Sequence, residues 1–116
     1  MRRQALVTMI SAATSAGTSE EVYNSDSDFL SVQVSGTFSS GKIQVQAKTD
    51  VNASDWTNLA VIDKSTATAI EGSDGITAKG IYTVGIAGIV LVRVSVASVS
   101  GGNVTVVGSF ENTSEK

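Results

Sequence analysis

The side chains in this sequence that could act as acids, bases or ligands are almost all carboxylates. The chain has eleven Asp and Glu residues, eight Lys and Arg residues, and neither His nor Cys. Without His the usual general base and the commonest metal ligand are missing, and without Cys there is no thiolate. Two carboxylates facing each other across a cleft could hydrolyse a glycoside. Most of the Asp and Glu residues here, however, fall in predicted turns, where an Asp side chain forms hydrogen bonds with the nearby backbone. The sequence therefore predicts no enzyme, no catalytic residue, no cofactor and no metal site.

One loop begins as an EF-hand calcium loop begins. Asp50, Asn52 and Ser54 place oxygen-bearing side chains at alternate positions. The sixth position, where an EF-hand needs Gly, is Asp55, and the twelfth, where it needs an acid, is Val61. We therefore expect a turn capped by an Asp side chain and not a calcium site.

Trp56 is the single tryptophan and raises the question of a sugar ligand, because an exposed aromatic ring can stack on a pyranose. We interpret Trp56 as closing one end of the core after the turn at 50–55, since large aromatic side chains dominate core energetics. The sugar-binding alternative requires Trp56 or Tyr82 to be exposed beside the acidic loops.

The start of the chain is the most basic segment. No acidic residue precedes Glu20, so Arg2 and Arg3 form a positive arm on an acidic body, and Arg2, Arg3 and Gln4 are the candidate partner-binding residues. The apolar stretch behind them imitates a secretory signal, but it is short and interrupted, so we expect a β-strand or arm at 4–11. The alternative to a binding role is a start ordered by sheet packing alone.

Alternating apolar and polar residues predict the strands that would position these side chains. Leu30, Val32 and Val34 alternate with Ser and Gln along 29–37, which is typical of a strand with one solvated face. The longest alternation, at 88–97, places four valines on one face and leads into a Gly-rich turn that we interpret as a hairpin. Further strands are predicted at 4–11, 18–23, 42–49, 58–62, 66–70, 80–86 and 103–110.

These strands predict an all-β protein. About eight or nine strands at turn spacings of about ten residues favour an antiparallel β-sandwich, jelly-roll or Ig-like, with an N-terminal arm. We expect a strand or arm at 1–17, the sandwich domain at 18–110 and a polar tail at 111–116. The net charge of −3 argues against a nucleic-acid partner, and no apolar stretch is long enough to cross a membrane.

Five segments follow one another along the chain in a set order: 43–50, 55–59, 80–84, 92–94 and 100–103. Together they resemble a pattern in small virion proteins of tailed bacteriophages. There, a strand runs into a polar turn and then Trp-Thr-x-Leu, followed by Gly-x-Tyr-x-Val, a Val-Arg-Val strand and a closing Gly-rich turn. The resemblance spans about 34–107 and departs from the pattern by lacking the Gly usually found before the Trp.

This resemblance implies a β-sandwich virion component and carries over no catalytic residue. Because the chain shows no fibre repeat and no coiled-coil stalk, we expect a capsid cement (decoration) protein that binds the major capsid protein on the outer surface of the virion. Homo-oligomers, dimers or trimers, would match the symmetry axes of a shell. The alternative function is a carbohydrate- or host-surface-binding module of a phage fibre or tail.

Overall fold

The computed structural model describes residues 5–24 and 27–111, which form β-strands joined by turns. This part of the chain contains no helix that is long and apolar enough to cross a membrane. The strands are β1 (Ala5–Ala13), β2 (Gly17–Thr18), β3 (Val22–Tyr23), β4 (Phe29–Gly36), β5 (Ser40–Lys48), β6 (Thr57–Asn58), β7 (Val61–Asp63), β8 (Thr68–Ile70), β9 (Gly80–Gly85), β10 (Leu91–Ser100) and β11 (Val104–Glu111).

The strands form two antiparallel sheets that pack face to face. The six-stranded sheet has the order β1-β11-β4-β9-β7-β8, and the five-stranded sheet has the order β2-β10-β5-β6, with β3 also paired to β10. The predicted antiparallel β-sandwich is thereby confirmed. The described residues hold eleven strands instead of eight or nine, because the segments predicted at 18–23 and 58–62 each divide into two short strands.

The inward faces of the two sheets form one apolar core. On β10 the predicted valine ladder points inward, and Val92, Val94 and Val96 are at most 2% exposed. Their alternation with outward polar residues is what a sheet with one dry and one wet face requires. The other buried members of the core are Met9, Ile10, Leu30, Val32, Val34, Phe38, Ile43, Val45, Val61, Ile76, Tyr82, Val84, Ile86, Val104, Val106 and Phe110.

The Gly-rich turn after the valine ladder is not a hairpin. β10 lies in the five-stranded sheet and β11 in the six-stranded sheet, so the two strands never pair with each other. Gly101 and Gly102, with φ of +77° and +145°, carry the chain across the sandwich from one layer to the other. The hairpin prediction is wrong because a pair of glycines permits either kind of reversal, and alternation does not say which sheet the next strand joins.

A second crossing lies against the first. The chain passes from β4 to β5 between the same two sheets, and the backbone N–H groups of Thr37 and Phe38 both donate to the carbonyl of Asn103, at 3.0 and 3.1 Å. The Asn103 N–H donates to Thr37 Oγ1 at 3.2 Å in return. Gly36, at φ +128°, starts this crossing. The two crossings therefore hold each other in place at one corner of the sandwich.

The N-terminal strand lies in the six-stranded sheet. β1 pairs with β11 in a register that includes Ala5 opposite Phe110, and it contributes Met9 and Ile10 to the core. The register shifts twice along β1, and Ala12 has a φ of +50° near the second shift. These bulges give the outer edge of β1 an irregular outline, which discourages further strand pairing.

Candidate interaction surfaces

The three residues predicted to bind a partner, Arg2, Arg3 and Gln4, lie outside the described residues, as does 112–116 of the predicted tail. Candidate surfaces are therefore sought on the two outer faces of the sandwich.

The acidic loop at 50–55 is a local turn. Asp50 Oδ1 accepts a hydrogen bond from the Asn52 N–H at 2.9 Å, which confirms the predicted Asp-capped turn. Asp63 forms the same kind of turn, accepting from the N–H of Ser65 at 2.9 Å. Within residues 5–24 and 27–111, no group of three or more Asp or Glu side chains is placed to hold a metal ion.

Tyr82 is a core residue. Its side chain is 2% exposed, and its hydroxyl donates to the carbonyl of Ala78 at 2.8 Å. Burial, with a smaller contribution from the Asp63 carboxylate, raises the pKa of Tyr82 above its ordinary value. Tyr82 therefore offers no exposed ring to a sugar.

Trp56 lies on the outer face of the five-stranded sheet. It is half-buried and is not part of the core cluster, so its predicted place at the end of the core is wrong. The ring centroid lies 4.7 Å from Lys48 Nζ and 4.3 Å from Arg93 Cζ. These cation–π contacts hold the indole over β5 and β10, because both cations point outward: Arg93 lies between the buried Val92 and Val94, and Lys48 follows the buried Ala47.

Hydrogen bonds fix the two cations beside Trp56. Arg93 Nε donates to Gln46 Oε1 at 2.8 Å, and Gln46 Nε2 donates to Asn58 Oδ1 at 2.8 Å. Lys48 Nζ donates to the carbonyl of Ala53 at 2.6 Å. The loop before Trp56 and the strand β6 after it are thus both tied to the outer face of the sheet.

The outer face of the six-stranded sheet is apolar and poor in charge. Six large hydrophobic side chains are exposed in the described residues, and four of them lie here: Leu6 at 71%, Ile81 at 49%, Ile62 at 47% and Phe29 at 37%. Small polar residues such as Ser109 separate them. We call this surface the apolar face.

Two shallow recesses of about 260 and 340 Å³ follow one another across the apolar face. They share Ser31 and Glu111, and the Ser31 hydroxyl donates to Glu111 Oε2 at 3.3 Å. The second recess also contains Lys64. Glu111 and Lys64 are the charged residues that line these recesses, so this surface carries little charge.

Sequence reasoning did not predict the apolar face. A signal for it was present, because neighbouring apolar residues in a strand must lie on opposite faces. Ile81 precedes the buried Tyr82, Ile62 follows the buried Val61, and the same holds for other strands of this sheet. Such doublets indicate strands that are apolar on both sides. The remaining doublets are Leu6-Val7, Phe29-Leu30 and Val106-Val107.

Comparison with solved structures finds two similar chains. The crystal structure of the SPBc2 prophage-derived protein YomS has a TM-score of 0.82 and 29% sequence identity, with 93% of this chain covering 92% of that one. The crystal structure of the PBSX exported protein XepA has a TM-score of 0.84 and 17% identity, and 93% of this chain covers 37% of that one. The second likeness is one of fold, and this chain corresponds to about a third of that protein. A search of curated protein sequences finds no match.

The sequence profile of the XepA family matches residues 3–110, which is nearly the whole chain. Together with the SPBc2 prophage neighbour, this match indicates a phage-derived protein, which is the coarser part of what the sequence resemblance predicted. Neither neighbour is named as an enzyme. The protein belongs to the XepA family.

Proposed function

We propose that this protein is a non-enzymatic structural component of a phage particle, and that it coats the capsid as a cement protein by docking its apolar face on the major capsid protein. The observation that carries the proposal is the clustering of Leu6, Phe29, Ile62 and Ile81 on one side of the molecule. A cluster of exposed large apolar side chains on one face of a small domain marks an interaction site, because the hydrophobic effect favours their burial.

The composition of the apolar face suits a protein partner. Interface centres are depleted in charge and enriched in large apolar side chains, and the surroundings are polar. Here the centre holds Ile81 and Val107 among Ser31, Gln33 and Ser109. The surface lies on a rigid sheet, so little conformational entropy is lost when a partner covers it. Stabilisation of a shell then follows from mass action, since the protein binds only the assembled state.

The family supports a phage role. YomS, at 29% identity, is a prophage-derived protein of nearly the same length. The family neighbour XepA is described as an exported protein, and its fold covers this chain with a TM-score of 0.84. A small phage protein without catalytic groups in its described part fits a structural role better than an enzymatic one.

The test uses particles purified from the phage that encodes the protein. Ile81→Ser and Ile62→Ser, singly and together, are added to particles stripped of the protein, and bound protein is measured after sedimentation. The control is Val51→Ser, which removes an apolar side chain of similar exposure, 46%, from a loop outside the apolar face. We expect the double variant to lose most of its binding and the control to bind as the wild type does. Equal binding by all variants would exclude the apolar face, and no binding by the wild type would exclude the cement role.

A second candidate function is a carbohydrate-binding module of a fibre or tail. Burial of Tyr82 removes one of the two aromatic residues on which that alternative depended. The observation that favours it is the position of Trp56 on an outer face, beside two cations.

A further inference from the structure

The cations beside Trp56 form no salt bridge with any residue that the structure describes. Among the described residues no carboxylate lies within 4.0 Å of the Lys48 ammonium or the Arg93 guanidinium. Arg93 uses its Nε–H on Gln46, and its four Nη–H donors have no protein partner in the described part of the chain. A guanidinium fork with free donors matches a carboxylate or phosphate group in geometry and charge.

We propose that Arg93, Lys48 and Trp56 form a binding site for the carboxylate or phosphate groups of an acidic polysaccharide. This inference deepens the second candidate function and does not depend on the capsid proposal, because the two use opposite faces of the sandwich. The site takes one acid group on the Arg93 fork, and the Lys48 ammonium, which contacts the same indole, adds a second positive charge.

The site is preorganised. Arg93 is held from one side by Gln46, which is itself held by Asn58, and Lys48 is held by the carbonyl of Ala53. The indole of Trp56 contacts both cations and limits their rotation. Side chains that are already fixed lose little entropy when a ligand binds, so more of the interaction energy appears as affinity.

The surroundings of the site favour a glycan over other polyanions. Tyr23 is 70% exposed and pairs with Leu91, whose other neighbour in the register is Lys48, so a second aromatic ring lies on the same face as Trp56. Exposed aromatic rings suit the apolar C–H faces of pyranoses, and the amides of Gln46 and Asn58 suit sugar hydroxyls.

Nearby charges disfavour a densely charged ligand. Asp50 and Asp55 are exposed in the loop that leads to Trp56, and the whole chain has a net charge of −3. A nucleic acid or an acidic peptide presents a negative charge at nearly every residue and is repelled by these carboxylates. A polysaccharide with neutral hydroxyl groups between its acid groups can place one acid on Arg93 and keep uncharged atoms against the loop.

The test is a fluorescence titration of the full chain, in which Trp56 as the single tryptophan reports binding at its own position. The probes are hyaluronate, in which a carboxylate-bearing sugar alternates with a neutral one, and a phosphomannan, in which neutral mannose residues separate the phosphate groups. Neutral dextran, poly-glutamate and single-stranded DNA are the comparison ligands. We expect a saturable change with one or both acidic probes and none with dextran. The binding should weaken at least about fivefold between 0.05 and 0.5 M salt because the charges are exposed.

The variants are Arg93→Gln and Lys48→Gln, with Lys79→Gln as the matched control. Lys79 is an exposed cation far from Trp56, and its Nζ donates to the Gly36 carbonyl at the corner of the sandwich. Lys79→Gln removes one positive charge, as Arg93→Gln and Lys48→Gln do. Arg93→Gln should weaken binding about tenfold or more, and Lys79→Gln should leave it within twofold. Because Arg93→Gln could disturb the fold, thermal unfolding accompanies each titration, and Arg93→Lys serves as the conservative second variant, expected to retain partial binding.

Three outcomes overturn the inference: no change with either acidic probe, equal weakening by Lys79→Gln, or equal binding of poly-glutamate or DNA. The double variant, Ile62→Ser with Ile81→Ser, separates the two functions. It should lose most of its particle binding and keep hyaluronate binding, so failure of one proposal leaves the other measurable.

Discussion

Three Gly→Ala substitutions separate backbone strain from steric overlap in this fold. Each adds the same methyl group to a different environment. At Gly85 the new Cβ meets nothing within 4 Å and the backbone is ordinary. At Gly88 the space is open but φ is +82°. At Gly36 φ is +128° and the Cβ overlaps the carbonyl oxygen of Asn103, which already accepts from the backbone N–H groups of Thr37 and Phe38.

The expected free energies of unfolding follow from these environments. Gly85→Ala reduces only the freedom of the unfolded chain and should stabilise by about 0.4–1 kcal/mol. Gly88→Ala makes the same gain but places a side chain in the left-handed region at a cost of about 1–2 kcal/mol, for a net loss of about 1 kcal/mol. Gly36→Ala combines backbone strain at residue 36 with displacement of the Asn103 carbonyl in the neighbouring crossing. It should lower the free energy of unfolding by roughly 3–5 kcal/mol.

The assay is thermal and urea unfolding, followed by Trp56 fluorescence and circular dichroism. With an unfolding entropy of about 2.1 cal/mol/K per residue, 1 kcal/mol corresponds to a Tm change of about 4 °C for 116 residues. We expect Gly85→Ala to raise Tm by a few degrees, Gly88→Ala to lower it by about 4 °C, and Gly36→Ala to lower it by roughly 12–20 °C. Equal effects at Gly36 and Gly88 would refute the claim that the two crossings pack against each other.

Two further predictions concern polar groups. Asn24 Nδ2 donates to the carbonyls of Ser27, Ile86 and Ile89 at 3.0–3.1 Å, and Asn24 Oδ1 accepts from the Ser27 N–H. Asn24→Ala should therefore lower the free energy of unfolding, measured in urea, by about 2–4 kcal/mol. A variant as stable as the wild type would show that water replaces these hydrogen bonds. The folded-state pKa of Tyr82 is raised above 10.0, so the neutral phenol contributes stability that is complete below pH 10 and is lost as pH rises through the folded value. Tyr82→Phe should cost about 1 kcal/mol at pH 7 by losing the bond to Ala78, and this deficit should shrink above pH 10 in urea midpoints measured from pH 7 to 11; a constant deficit would contradict the assignment.

Strand positions were predictable because their signal is local. Leu30, Val32 and Val34 alternate with polar residues, and β4 buries those three side chains as period two requires. The same pattern does not encode which sheet a strand joins. β10 and β11 follow one another with alternating valines, yet they lie in different layers because the Gly101-Gly102 turn crosses the sandwich.

The surfaces were harder to predict than the strands. Trp56 contacts Arg93 across 37 positions of sequence, and such a pairing depends on the register of β5 with β10. Arg93 and Trp56 could also have lain far apart on the surface, so their residue types alone did not predict that they are in contact. The apolar doublets carried a usable local signal, because a residue such as Ile81 next to a buried Tyr82 must face outward.

The pairing of β1 with β11 sets when this protein can fold during synthesis. About 90 residues separate the end of β1 from the start of β11, so at about 5–20 residues per second the ribosome delivers the partner of β1 roughly 5–20 s later. Until β11 is made, β1 has no partner strand to hold Met9 and Ile10 in the core. The six-stranded sheet also lacks the strand that joins β1 to β4. Because the sequence contains no proline, no prolyl isomerisation delays the steps that follow. The six-stranded sheet therefore cannot be completed until β11 has been made, and a nascent chain stalled before residue 104 leaves the β4 edge without its partner strand.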